Sequence, residues 1–325
     1  MIAYLIRRVA YAIPILIGVN LLTFTLFFVV NTPDNMARMQ LGIKRVSPEA
    51  IEKWKHQHGY DKPLLFNAKA DGAGRLLDTI FFEKSASMFV LDFGYSDDGR
   101  NISREILTRM WPSFAIALPT FVIGLMVAIS FALILTLFRA TAADVAGVTL
   151  SVVLMSVSLL FYIIGGQFLV SKLWHWAPIS GYSASVDALK FVVLPVVIGV
   201  VSGIGSSSRW YRAIFLEEIG KDYVRTARAK GLGELPLLFR HVLKNAMIPI
   251  LTGVVVVIPR LFMGSLLMES FFGIPGLGSY TIDAIGAQDF SVVRAMVFLG
   301  SVLYIAGLIL TDISYTMVDP RVRLS

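Results

Sequence analysis

"DYVRTARAKGLGELPLLFRHVLKNAMIP", residues 222–249, is a basic, patterned stretch held between two apolar runs. The fold turns on where such a stretch can sit. Of the 325 residues, 56% are apolar and 16% charged, whereas ordinary soluble domains carry about 25% charge. Mean hydropathy is +0.73. A chain this apolar needs lipid as part of its solvent. Each Arg or Lys near a bilayer centre costs about 2.5–3.5 kcal/mol on insertion scales. Residues 209–245 hold eight of them: Arg209, Arg212, Lys221, Arg225, Arg228, Lys230, Arg240 and Lys244. The segment is therefore a cytoplasmic loop between spans.

A hydrocarbon core of about 30 Å asks for about 20 apolar helical residues. Six stretches qualify: Val9 to Val30, Ser113 to Leu137, Ala146 to Val170, Phe191 to Ile204, Ala246 to Met268 and Val292 to Leu310. The fourth is the weakest, and its small-residue tail "GVVSGIGSSS" extends it toward Ser208. Arg7 and Arg8 before the first span hold the N-terminus in the cytoplasm, and no small-x-small cleavage site follows that span. Six crossings then place 209–245 and the tail with Arg321 and Arg323 on the same cytoplasmic side, as the positive-inside rule asks. The expected architecture is an all-α polytopic membrane protein with both termini cytoplasmic. Residues 1–30 supply the N-terminus and first span, 31–112 a small extracytoplasmic subdomain, and 113–325 the core. Helices are predicted in the subdomain near "SPEAIEKWKHQHG" and "SREILTRMW".

Within 222–249 the spacing predicts two short amphipathic helices joined by Gly-Leu-Gly. Asp222 is the expected N-cap, Gly231 the residue after the first helix, and Pro236 an early residue of the second. Leu235, Leu238, Phe239 and Val242 form one apolar stripe opposite Arg240 and Lys244. Spacing alone leaves two readings open: a hairpin on anionic lipid headgroups, or a docking element for a cytoplasmic partner.

"RTARAKG" followed by "RHVLKNAMIP" resembles the EAA loop of ABC-importer permeases, in the form of the dipeptide, oligopeptide and nickel permease family. Arg225, Thr226 and Ala227 stand for the Glu-Ala-Ala-like triplet, Gly231 for its glycine, and His241, Val242, Leu243 and Lys244 for the Ile-x-Leu-Pro-like group. Lys244, where many members have proline, is a departure. The likeness extends through "YLIRR" with Pro14, "GYDKPL" (59–64), "LDFGYS" (91–96), "APISGY" (177–182), Glu269 with "FFGIPGLG" (271–278), and "DISYTMVDPR" (312–321). It implies a type I ABC-importer permease fold in a bacterial inner membrane, with a multi-pass, non-catalytic role in peptide import. It also implies that Arg225, Thr226, Ala227, Arg228, Ala229, Lys230, Gly231, Leu232, Gly233, Glu234 and Leu235 form the coupling loop that fits a groove of an ATP-hydrolysing subunit. The implied partners are a second, homologous permease, two ATP-binding subunits and an extracytoplasmic solute-binding protein, with lipid around the spans.

Absent motifs narrow the function. No "GxxxxGK[ST]" occurs, so ATP and Mg are expected on the partner subunits and no cofactor on this chain. The chain has no cysteine, which excludes disulfides, thiolate metal sites and a cysteine nucleophile. Neither "GxSxG" nor "HExxH" is present, and the four histidines are dispersed; His56 and His58 in "HQH" read as surface residues rather than metal ligands. The net charge of +7 follows the membrane flanks, and no nucleic-acid recognition motif accompanies it. The alternative class, a secondary active transporter without ATPase partners, would show internal repeats and mid-membrane acids, which this sequence lacks. Two intramembrane features remain. "GVVSG" (199–203) predicts a close helix contact. Arg260, after Pro259, has two open roles: pairing with Asp312 or Glu269, or facing the translocation path.

Overall fold

The computed structural model describes residues 2–42, 46–183 and 188–318. Among them there is no strand, only one isolated bridge between Tyr95 and Asn101. The principal helices are α1 (Ile2–Phe24, continued as a wide turn over Thr25–Val30), α2 (Pro33–Leu41), α3 (Pro48–His58) and α4 (Ile102–Leu137). They continue with α5 (Ala142–Ser156), α6 (Leu159–Leu173), α7 (Ala188–Ile219), α8 (Asp222–Ala229) and α9 (Glu234–Met263). The last three are α10 (Leu266–Phe272), α11 (Leu277–Ala287) and α12 (Phe290–Val318). Five helices are long and apolar enough to cross a membrane, and α5 with α6 makes a sixth if that bent pair is one span. The basic tail with Arg321 and Arg323 lies outside the described residues.

Several expected boundaries move, each for a local reason. "SREILTRMW" is not a separate helix: it opens α4, whose 36 residues run through Pro112 and Pro119. At about 1.5 Å per residue α4 is far longer than a bilayer core. The fourth span likewise runs on to Ile219, so Arg209 and Arg212 lie on a helix and not in a loop. Its small residues serve packing instead of termination. A Cβ on Gly205 would lie 2.4 Å from the Ser151 carbonyl oxygen, and one on Gly199 2.6 Å from the Thr120 methyl; beside Gly203 there is open space. The third span bends by 87° between α5 and α6. Val157 and Ser158 adopt extended backbone there, and the Tyr162 hydroxyl donates to the Leu154 carbonyl (2.7 Å), satisfying an acceptor near the break. The fifth span ends at Met263, before the expected Met268, because Gly264 turns the chain at φ +67°.

The chain forms two compact units: residues 1–109 with 280–309, and 110–279 with 310–324. In the first, Thr32 and Ser47 cap α2 and α3 ahead of prolines, and Gly59 ends α3 in the left-handed region. Phe24, Phe28, Met36, Ile51, Trp54, Tyr60 and Ile80 form its core. Trp54 gives its indole N–H to Gln40 (2.6 Å), so a large apolar surface is buried without leaving a donor unpaired. The Asp97 N–H donates to Asp289 Oδ2 (2.9 Å). Burial and the Asp289 charge push the Asp97 carboxyl up to about 6, outweighing His58 and the Gln40 hydrogen bond. A carboxyl whose folded value lies above its unfolded value stabilises the fold at low pH and loses that contribution as pH rises from about 4 to about 6. Lowering the pH from 7 to 4 is therefore expected to add up to about 3 kcal/mol to this unit. Asp97→Asn removes that dependence, and the difference between the two proteins' denaturant profiles at each pH measures it.

The second unit is centred on α5, α7 and α9. One ion pair there is sheltered. Arg212 grips Asp144 in bidentate fashion (Nε–Oδ1 3.1 Å, Nη2–Oδ2 2.7 Å), and Asp144 also accepts the Ala140 N–H. Asp144 is 7% exposed, so truncating it strands a half-sheltered guanidinium. Asp144→Ala is expected to cost about 3–5 kcal/mol, and Asp144→Asn less, as read by thermal unfolding in detergent.

Candidate functional site

The residues singled out between Arg225 and Leu235 lie on a helical hairpin. The N-cap of α8 is Lys221; Asp222, expected to be the cap, is the first helical residue, where its charge complements the helix dipole. Val224 and Ala227, three apart, are the buried face, while Arg225, Thr226, Arg228, Ala229 and Lys230 are exposed. Gly231 follows the helix at φ +82° with open space around a would-be Cβ; it is kept by its backbone, not by crowding. Its N–H donates to the Arg228 carbonyl (3.0 Å) and the Leu232 N–H to that of Ala227 (3.4 Å). Gly233 and Glu234 complete the turn. Arg228 crosses it to hold Glu234 through two hydrogen bonds (2.9 and 3.1 Å). Of the hairpin's cations, Arg225 touches only Asp222 at 3.7 Å, both well exposed, a contact of little energetic weight.

The second half of the hairpin is the start of α9, continuous with the fifth span. The expected stripe of Leu235, Leu238, Phe239 and Val242 is split. Residues 238–242 form a wide π turn, which shifts the register, so Leu237, Leu238 and Val242 point inward while Leu235 and Phe239 are each 55% exposed. The inward set packs with Val224, Ala227, Ala246 and Ile250 against Ala128, Ala132 and Leu133 of α4 and Tyr211 and Phe215 of α7. Beside them Glu218, 6% exposed, accepts from the Tyr223 hydroxyl and pairs with Lys221. Burial, then the Glu218 carboxylate, pushes the Tyr223 hydroxyl up to about 12, which keeps it a donor at neutral pH. The hairpin is thus joined by packed side chains to the ends of three membrane helices.

A second constellation was legible only as a likeness in "ESFFGIPGLG". Glu269, on α10 and 2% exposed, accepts N–H bonds from Ser265 (3.1 Å), Gly278 (2.7 Å) and Ser279 (3.1 Å), and a bond from the Ser113 hydroxyl. Burial raises its carboxyl, while these donors favour the charged form. The glycines around it leave no room for a side chain. A Cβ on Gly264 would lie 1.7 Å from Glu269 Oε1, and one on Gly276 2.2 Å from Oε2. "APISGY" docks on the same helix: the Gly181 N–H donates to Phe272 O (2.7 Å), and Gln167 bridges the Ile179 and Phe271 carbonyls. Glu269 and Ser113 form one wall of a cavity of 340 Å³ otherwise lined by apolar and small residues of α4, α6, α7 and α9, including Ile116, Thr120, Gly199 and Leu261.

Arg260 does not pair with Glu269. It lies on the closing turn of α9 and is exposed, and the Glu269 carboxylate is occupied by other donors. It is not among the residues lining the 340 Å³ cavity. His56 lies 4.0 Å from Asp61 and is exposed, whereas His58 stacks on Trp54 (4.2 Å) and meets Asp97 at 3.5 Å. Among the described residues no cluster of ligands for a metal ion is found.

Comparison with known proteins agrees with this architecture. Residues 99–324 match the family described as "Binding-protein-dependent transport system inner membrane component", and residues 1–116 match its N-terminal companion, "Binding-prot-dependent transport system membrane comp, N-term". A Brucella abortus protein named for a peptide transport system permease is 32% identical over 328 residues, covering 99% of each chain. The di/tripeptide transport system permease protein DppB of Pseudomonas aeruginosa is 28% identical, again over 99% of each chain. The oligopeptide transport system permease protein AppB of Bacillus subtilis is 27% identical over 99% of this chain and all of its own. With its near-complete helical content and five or six apolar spans, the chain belongs to the binding-protein-dependent transport permeases and is a multi-pass inner-membrane component of such a system.

Proposed function

We propose that this chain is one of two permease subunits of an ATP-driven importer of short peptides, with α8 and the start of α9 as its coupling element. In this reading both termini and the hairpin face the cytoplasm, and residues 31–101 face outward toward a solute-binding protein. The observation that supports it most is the two-sidedness of the hairpin. Its inner face is packed into the ends of α4, α7 and α9, while Leu235 and Phe239 are each 55% exposed. A rigid-body push on the outer face is thereby passed to membrane helices. The force comes from elsewhere, because the sequence has no P-loop; ATP and Mg belong on two partner subunits, and this chain needs neither a cofactor nor catalytic residues. A second, homologous permease completes the pathway, to which each chain contributes a cavity such as the one beside Glu269. The peptide substrate rests on the names of the relatives.

Co-purification tests the coupling. The chain extracted from its native membrane in mild detergent is expected to bring P-loop ATPases with it, and Gly231→Asp to lose them while remaining folded. Strain at φ +82° costs that variant about 1–2 kcal/mol, too little to unfold the packed unit. If no ATPase accompanies the wild type, the importer reading fails and the hairpin is a lipid-facing element of a secondary carrier.

A further inference from the structure

We infer that the first unit holds a separate binding pocket for the carboxylate of a short peptide, centred on Arg294 near the start of α12. This inference rests on the peptide reading above, but the site is distinct from the hairpin and from the Glu269 cavity.

Arg294 is 2% exposed, and its Nε and Nη1 have no hydrogen-bond partner within the protein. One face of the guanidinium is covered by the Phe28 ring, at 4.7 Å. Among the described residues no carboxylate lies in ion-pair range of it. Asp289, the nearest acid in sequence, instead accepts the N–H groups of Asp97 and Val292. A buried, unpaired guanidinium is costly to desolvate, and native proteins rarely retain one without a partner. Arg294 is among the residues lining a cavity of 470 Å³. Lys84 lines it too, half-buried, without a carboxylate in ion-pair range and with its ammonium 5.6 Å from the Tyr60 ring. The acids close by are engaged elsewhere: Glu83 pairs with Lys62, and Asp97 meets His58 and accepts from Gln40. Two cations that line one cavity with no carboxylate in ion-pair range, among the described residues, call for an anionic ligand.

The cavity's size and remaining walls define that ligand further. At 470 Å³ it exceeds what an inorganic ion fills and lies in the range of small-molecule sites. Phe93 and Tyr95 offer aromatic surface, and Asp92, exposed at the rim, can meet an ammonium group. A carboxylate carrying an apolar body and a distant amine, the description of a free di- or tripeptide, matches this set. Arg supplies two parallel N–H donors for a carboxylate, so Lys at this position would be a poor substitute.

Calorimetric titration of the purified full chain in lipid nanodiscs tests the pocket. Dialanine is expected to bind, dialanine amide to bind at least about tenfold more weakly, and N-acetyl-dialanine to lose less. Arg294→Gln and Lys84→Gln should each weaken dialanine by about tenfold or more. The blocked peptides need no variant to fold, and Lys84, half-buried, is the gentler substitution. Equal binding of dialanine and its amide, no binding at millimolar peptide, or binding of inorganic phosphate in place of peptide overturns the pocket. Cells that still take up peptide through the assembled transporter while the chain fails to bind it would sink the pocket and leave the importer standing. Loss of peptide uptake by the intact system would sink the importer itself.

Discussion

Gly264→Ala is expected to give the largest loss of stability of any single methyl addition in this protein. The new Cβ would lie 1.7 Å from Glu269 Oε1 and 2.6 Å from the Ser113 hydroxyl, and the residue must hold φ +67°. The left-handed backbone alone costs an L-residue about 1–2 kcal/mol. Displacing the carboxylate is worse: the Ser265, Gly278 and Ser279 N–H groups lose their acceptor, and each unpaired buried donor costs about 1–3 kcal/mol. Together these come to at least about 4 kcal/mol, a large part of what holds a typical fold together. Gly18→Ala on α1, with nothing within 4 Å of its Cβ, is the matched control and should be neutral or slightly stabilising. Thermal unfolding in one detergent compares the two. A Gly264→Ala protein as stable as the control would mean that Glu269 does not organise the turn as described.

Leu235→Asp combined with Phe239→Asp is expected to abolish transport without unfolding the chain. Both side chains are 55% exposed, so the substitutions remove no core contact; at a docking surface, however, each apolar anchor is worth about 2 kcal/mol or more. ATP-driven peptide uptake in reconstituted vesicles should fall about a thousandfold, with an unchanged melting curve. Val242→Asp, one turn further along and fully buried, should instead unfold the second unit. Retained uptake in the double variant would remove Leu235 and Phe239 from the coupling surface. A Val242→Asp protein with an unchanged melting curve would contradict the packing of the hairpin.

Residues whose behaviour depends on near neighbours were legible in sequence. The apolar runs, the helix near "SPEAIEKWKHQHG", and Gly231 as the residue after α8 were read correctly, because a run of about 20 apolar residues, a Ser-Pro pair and a helix-terminal glycine act through contacts a few residues away. Other features were misplaced where the deciding contact is distant in sequence. α7 outruns its hydropathy because Gly199 and Gly205 pack on Thr120 and Ser151. α9 ends early because Gly264 must make way for a carboxylate bound to Ser113 and the 278–279 backbone. The apolar stripe of the hairpin was read as one face where the structure splits it, because a π turn does not announce itself in a pattern of period 3.6.

The sequence by itself determined that this is a helical membrane protein with a basic hairpin excluded from lipid, and that it lacks the machinery to bind ATP through a P-loop. Those properties are sums over composition and short-range spacing, which tolerate errors of a few residues. Only the tertiary structure decided that Leu235 and Phe239 face outward, that Arg260 stands apart from Glu269, and that Arg294 is buried with its Nε and Nη1 unpaired. These depend on which residues, up to more than two hundred positions apart, are brought within a few ångströms, as with Tyr60 and Ser291 at 3.3 Å. A pairing of that kind is selected by the packing of the whole unit, so no local window of the sequence contains it.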